Sequence, residues 1–417
     1  MRRSAALRQA LAIGLALACS GTTFAQAAPT SERGGLRRAF EAAWARQPEA
    51  QSLASRAEAA RAQMDAAGLW NAGAPALEIA ATSDRLLRNQ GAREYEVGLS
   101  VPLWLPGEKD RSAALAEAEL NALDSRSRAA RLRVAAEVRT AWWNWQRARS
   151  DTAMAHDQAE NARRLAADVA RRASAGDLAR ADQHQADGAL ASAESNLARA
   201  QAELASTAQA FRAVTGWLPA DTEATPEPTP DERDASSTSP TTHAALSALQ
   251  DRAAVAERAA ALASLQSRAH PELRLAATRE RGAFGDGYGQ TVTVGVRIPF
   301  GDGRRHDARV AAAAAEATEA RVLLDLERAR LDTEREAARA RAQAAQAQVA
   351  AAERRARLAL ESRGFFDKSF RLGETDLPTR LRIEAEAVEA ERQAARSRIE
   401  LAAAISAWRQ ALGLVPR

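Results

Sequence analysis

Few groupings in this chain have the residue types and spacing that chemistry requires. Gly282-Ala-Phe-Gly285-Asp-Gly287-Tyr-Gly289 has the glycine density of a phosphate loop, but lacks the Gly-Lys-Ser/Thr ending that supplies a cation and a magnesium ligand. It stands between two strand-like segments, where a hairpin connection is expected. Gly301-Asp-Gly303-Arg-Arg305 follows a strand and opens a helix, a place that suits anions. Its counterpart earlier in the chain is Pro106-Gly107-Glu108, so a strand-to-helix turn suffices. Glu384, Glu386, Glu389 and Glu391 offer carboxylates, yet arginines at helical-neighbour spacing make this a solvated face. His184, His243, His270 and His306 have no obvious nucleophile or acid beside them, and the five histidines and three methionines form no ligand cluster. Trp142-Trp143-Asn144-Trp145 reads as a packing or inter-chain anchor. No catalytic group, cofactor or metal site is expected.

The elements around these residues are mostly helical. In 417 residues aromatics are only 4% while apolar residues are 46%, so alanine carries the apolar fraction and favours helix. The length suggests two or three domains. The formal charge is +4. Without Arg2, Arg3 and Arg8, the 58 basic residues fall to 55 against 54 acidic ones, which gives no support for a nucleic-acid partner. Cys19 is the sole cysteine, so the rest of the chain forms no disulfide and suits any redox compartment.

Residues 1–27 read as a secretory signal peptide: a basic start, an apolar run from Leu11 to Ala18, and small-residue cleavage sites at Ala25-Gln26-Ala27 or Thr23-Phe24-Ala25. Lipidation of Cys19 is the weaker alternative, because Ala16-Leu17-Ala18-Cys19 lacks the usual leucine. No later segment has 18 consecutive apolar residues, so a membrane crossing would have to use β-strands.

An internal repeat dominates what remains. Pro75-Ala-Leu-Glu-Ile-Ala-Ala-Thr82 returns as Pro271-Glu-Leu-Arg-Leu-Ala-Ala-Thr278, and Val97-Gly-Leu-Ser-Val-Pro-Leu103 as Val294-Gly-Val-Arg-Ile-Pro-Phe300. Gly176 and Gly216 return as Gly373 and Gly413 at the same spacing. A near-constant offset points to tandem units at 28–218 and 243–417, joined by a Pro/Ser/Thr-rich linker at 219–242. Each unit predicts a first helix (36–67; 243–268), two strands, a long helix (108–174; 305–371) and a last helix. The long helices would each run ~100 Å. The first and last helices together match that length, so stacked end to end they could line it.

The strands alternate. Val97, Leu99 and Val101, and in the second unit Val294, Val296 and Ile298, lie on one apolar face. Glu78, Glu96, Arg274 and Arg297 lie on the other. That is the pattern of a transmembrane β-barrel, lipid outside and water inside. Four strands cannot close a barrel, and open edges are forbidden in lipid, so an oligomer is expected; three chains give twelve strands.

These features together resemble the TolC family of outer-membrane efflux channels over essentially the whole chain after the leader. The resemblance rests on the duplicated strand and helix units, the proline exits at Pro102 and Pro299, the turns at Gly176 and Gly373, and the closing Gly216 and Gly413. It implies a homotrimer with a twelve-strand barrel in the outer membrane, continued by a periplasmic α-helical coiled-coil barrel. The tunnel would dock onto an inner-membrane RND-type pump through a periplasmic adaptor, a membrane fusion protein. Leu103-Trp-Leu-Pro-Gly-Glu-Lys109 and Leu372-Gly-Glu-Thr-Asp376 are similar to the heavy-metal CzcC and CusC branch. The implied function is a passive conduit for metal ions or small toxic compounds. The alternatives are a structural or adaptor-like periplasmic coiled coil, and a type I secretion exit duct.

The resemblance also places Gly176 and Gly373 at the tunnel tip, where family members carry acidic rings and cross-turn ion pairs. Asp182 matches the first-unit acidic position; the second-unit acidic positions fall on Thr379 and Arg382, and the usual arginine falls on Thr375. By charge alone, Asp182 could pair with Arg380 or Arg382 across the turn.

Overall fold

The computed structural model describes residues 35–86, 89–219, 226–231, 243–301 and 303–416. The leader with Cys19, and most of the 219–242 linker, lie outside the described residues.

Leu36, Ala39, Phe40 and Ala43 recur at helical spacing and are the buried face of α1, Gly35–Ala45. Proline then interrupts. Pro48 holds Gln47 extended and opens α2, Pro48–Gly68, so the helix expected over 36–67 is two. The chain continues through β1 (Ala76–Ser83), β2 (Arg93–Pro102), α3 (Glu108–Ala175) and α4 (Arg180–Thr215). The second half runs α5 (Ala244–Leu265), β3 (Glu272–Arg281), β4 (Gly289–Arg297), α6 (Gly303–Arg371) and α7 (Leu377–Ala411). Pro102 is the last residue of β2, whereas β4 stops two residues before Pro299.

The 68 residues of α3 and 69 of α6 make rods of roughly 100 Å. Packing, not propensity, must hold such helices. α2 and α4 flank α3, and α5 and α7 flank α6. The closing glycines mark the end-to-end stacking. A Cβ on Gly216, at φ +86°, would lie 2.2 Å from Arg46 at the α1–α2 break, and one on Gly413, at φ +77°, would lie 2.8 Å from His243 at the start of α5. Glycine takes both left-handed turns without strain, and at Gly413 a side chain would also meet the His243 ring.

The core is concentrated at a waist, where Phe40, Val134, Val138, Trp142, Trp143, Trp145 and Phe211 are buried together with Ala402 of α7. Trp142 lies 5.5 Å from Trp145 and 5.8 Å from Phe211 between ring centroids. Below it the seams are alanine, such as Ala352, Ala356, Ala390 and Ala394 between α6 and α7, which lets helix axes approach closely. α6 buries little besides alanine and leaves Val322, Leu323 and Leu326 exposed in the single chain.

The strands form one antiparallel sheet in the order β1-β2-β3-β4. Leu77, Leu99, Leu275 and Val294 stand opposite one another across it, as do Ile79, Val97, Ala277 and Val292. The 282–288 glycine segment is the β3–β4 hairpin connection, and Phe284 N–H donates to Gln90 O in the other hairpin at 2.9 Å. No described helix is long and apolar enough to cross a membrane.

Candidate functional site

Strand alternation gives the sheet two unlike faces. On the apolar face Ile79 is 73% exposed and Val292 74%, and Val97, Leu99, Val294 and Val296 are also exposed. Two expected members depart. Val101 is buried, and Ile298 lies beyond the end of β4, though exposed. The other face carries charge. Arg274 pairs with Glu78 across β2, Arg297 lies 3.8 Å from its cross-strand partner Glu272, and Glu96 is half-buried between Ala80 and Thr278. Aromatics mark both ends of the sheet. Trp70 and Phe300 are exposed at the helical end, whereas Arg279 and Arg281 lie over Tyr288 at the hairpin end, 4.6 and 5.1 Å from the ring centroid.

Where strands become helices, the two halves meet at one carboxylate. Glu108 is fully buried and accepts from Leu105 N–H (3.0 Å), from Gln266 Nε2 (2.8 Å) and from His270, whose Nε2 is 3.0 Å from both carboxylate oxygens. Burial alone would raise its pKa, but the bonds from Gln266, Leu105 and His270 together outweigh that and hold it below the ordinary carboxylate value. Trp104 stands edge-on to His270, and Gln266 O lies 3.2 Å from His306 Nδ1. His270 thus has an acid beside it after all. The partner is 162 residues away in sequence, beyond the reach of local spacing. His243 caps α5, its Nδ1 accepting from Ala245 N–H, and burial keeps its pKa low. No group of three metal-ligating side chains occurs among the described residues.

At the far end of the long helices, Gly176 (φ +89°) and Gly373 (φ +79°) make matching left-handed turns. Gly176 N–H bonds Ala173 O, and Gly373 N–H bonds Phe370 O. Phe370, buried, receives Arg172 from α3 at 5.2 Å and Arg380 from α7 at 4.8 Å, joining the two helix pairs. Thr375 bonds Ser369 through their hydroxyls at 2.6 Å. Thr379 N–H donates to Asp376, and hydrogen bonding to Thr379 lowers the Asp376 pKa.

The expected cross-turn pair is not made within the chain. Asp182 sits in the first turn of α4 and accepts from Ala179 N–H at 3.1 Å, the local bond that a helix start offers a carboxylate. Arg380 instead binds Asp367 at 2.6 Å and Arg382 binds Glu386 at 2.8 Å. The acidic run behaves as a charged helix surface: Glu389 pairs with Arg392, while Glu384 and Glu391 both lie within 3.6 Å of Arg363 on α6.

Sequence reasoning missed one cluster altogether. Glu227, inside the linker, is buried beside Arg139 of α3 and Arg409 of α7. Only its position among prolines marked it.

Residues 39–217 match the model of the family described as outer membrane efflux protein. No curated protein matches by sequence. Solved structures share the fold: VceC, the outer membrane protein of Vibrio cholerae (TM-score 0.72, 19% identity, 92% of this chain and 97% of that one), and CusC (0.73, 16%, 91% and 92%). The Neisseria gonorrhoeae MtrE outer membrane channel in its open state also matches (0.70, 16%, 91% and 89%). CusC has the slightly higher TM-score and VceC the higher identity, so the likeness singles out no branch. The family model thus matches within the first half of the chain, and the fold of these channels runs through both halves.

Proposed function

We propose that this protein is the outer-membrane exit channel of a tripartite efflux system, working as a homotrimer. The observation that carries the reading is the sheet: its large aliphatic side chains share one uncovered face, Glu78, Glu96, Arg274 and Arg297 share the other, and β1 and β4 each have an open edge. Lipid on the apolar face and β1–β4 pairing between chains would satisfy both, giving twelve strands around a polar lumen lined by Glu78, Glu96, Arg274 and Arg297. The bare flank of α6, with Val322, Leu323 and Leu326, would then meet the neighbouring chain's α2 and close a helical tunnel.

In this reading residues 1–27 are an export signal, and 28–218 and 243–417 are tandem units around the 219–242 linker. The turns at Gly176 and Gly373 form the periplasmic tip, which faces an adaptor and an inner-membrane RND-type pump. The cargo is a metal ion or small toxic compound, carried passively. Crosslinking in detergent should yield a three-chain species that fractionates with the outer membrane. A stable monomer that keeps its β-structure in lipid would overturn the proposal.

A further inference from the structure

The seam between the two halves has a charge problem that the linker solves. Arg139 on α3 is 3% exposed and Arg409 on α7 is 1% exposed, beside the waist aromatics. Guanidinium groups cannot be deprotonated at any ordinary pH, and a buried charge without a counter-charge is strongly destabilising. The counter-charge belongs to neither helix. The Glu227 carboxylate accepts from Arg139 Nε (2.9 Å) and Nη2 (2.7 Å) in a bidentate pair and stands 3.4 Å from Arg409 Nε. It also accepts from Ser406 Oγ at 2.5 Å, and Ser406 accepts in turn from Trp143 Nε1–H at 2.9 Å.

The strap around this carboxylate is bonded as well. Arg409 Nη1 donates to Pro228 O at 3.1 Å. Arg139 Nη1 donates to Gln410 Oε1 and Leu414 O, and Gln410 Nε2 donates to Leu132 O. These partners lie on α3, on α7 and its C-terminal extension, and on the strap itself. Pro230, three residues beyond Glu227, is buried too.

We propose that residues 226–231 are a charge clasp: seating Glu227 between Arg139 and Arg409 is what lets the two halves close at the waist. The linker is then a working part of the seam, not a spacer. Below it, α3 and α7 are next tied by Asp151 and Arg396, at 2.8 and 2.9 Å. Farther down a groove of about 780 Å³ separates the helix pairs until they rejoin at Phe370. The clasp is the uppermost of these ties and the one with buried charges. The clasp holds the chain together whatever the channel carries.

The full chain in detergent tests it. Glu227→Gln keeps the shape of the side chain and removes only its charge. Thermal unfolding should show the folded-to-unfolded ratio falling on the order of 100-fold or more. Trypsin supplies a local readout, because Arg233, the only basic residue in 219–242, follows the strap two residues after Asp231 in the sequence. Cleavage there should accelerate at least about tenfold. The triple variant R139M/E227Q/R409M, which removes the buried charges together, should recover most of the lost stability, and it keeps the test decisive if Glu227→Gln alone fails to fold. Unchanged melting and cleavage in Glu227→Gln, or a triple variant no better than Glu227→Gln, would overturn the clasp.

Discussion

The sheet and the waist of this protein bury opposite things. In the sheet, Ile79 and Val292 are about three-quarters exposed, although full burial of such a side chain favours folding by roughly 1.5–3 kcal/mol. At the waist, Arg139, Glu227 and Arg409 are buried instead, against Trp143 and the aromatic cluster. The waist is therefore closed within one chain: Arg139 and Arg409 share Glu227, and Phe211 meets Trp142, Trp145 and Trp217. The sheet is complete only with surroundings the chain does not supply. Under the proposed function, that difference separates what folds the chain from what would place it in a bilayer.

The sharpest way to break this contrast is to empty the waist. Phe211 is fully buried and touches Trp142, Trp145 and Trp217. Phe211→Ala should destabilise the protein by about 3–5 kcal/mol, read by denaturant unfolding of the helical signal. Val292→Ala, on the outward face, should change the same measurement by less than about 0.5 kcal/mol. Comparable losses from the two would mean that the sheet is packed within the chain.

The sheet has its own test, one step smaller. Lysine at Leu99 should hinder assembly in membranes by about 2–4 kcal/mol, whereas lysine at Thr293, on the charged face, should leave assembly intact and change conductance. Heat-modifiability in outer-membrane extracts reads the first, and planar-bilayer recording the second. Ser100 shares Thr293's face by alternation, but it is buried and is not a neutral site for this comparison.

Periodic features were legible in the sequence; features made by distant partners were not. The strand faces follow from residues two apart, and the long helices from unbroken, proline-free runs, so both stood out in a single pass. The α1–α2 break was missed even though Pro48 signals it, because the helical pattern resumes at once on the far side. Glu108 with His270, and Glu227 with Arg139 and Arg409, join residues from 88 to 182 positions apart. No local spacing announces such pairs. At the tip the charges were visible but their partners within the chain were not, since a carboxylate in a first helical turn has a backbone N–H close by.

Glu108 offers a third, smaller test, at the joint between the two regions. Its replacement by glutamine weakens the bonds to Leu105 N–H, Gln266 and His270, and should cost about 1–3 kcal/mol at neutral pH. Because the folded-state pKa is depressed, the charged carboxylate's contribution is fully present above the ordinary carboxylate pKa and is lost as pH falls through the depressed value. Thermal unfolding from pH 7 to about 3 should therefore bring the wild type and Glu108→Gln together at the acid end. A gap that stays constant across that range would mean that the ionised carboxylate is not what holds the joint.

The smallest effects belong at the tip, where charges are exposed and pairs are local. Asp182→Ala removes the bond to Ala179 N–H and should cost about 0.5–1 kcal/mol. Arg382→Ala breaks only its exposed pair with Glu386 and should cost less than about 0.5 kcal/mol. Arg380 differs from both: it is half-buried, bound to Asp367 and stacked on Phe370, so Arg380→Ala should loosen the tip more than either. Single-channel recording turns this ranking into a test of gating. Within one chain Asp182 and Arg382 have separate partners, so their conductance effects should be small and additive, while Arg380→Ala raises conductance by itself. If Asp182→Ala and Arg382→Ala each raise conductance and the double variant adds little, the pair forms between neighbouring chains of the assembled ring, and the tip joins the sheet as a region completed by other chains.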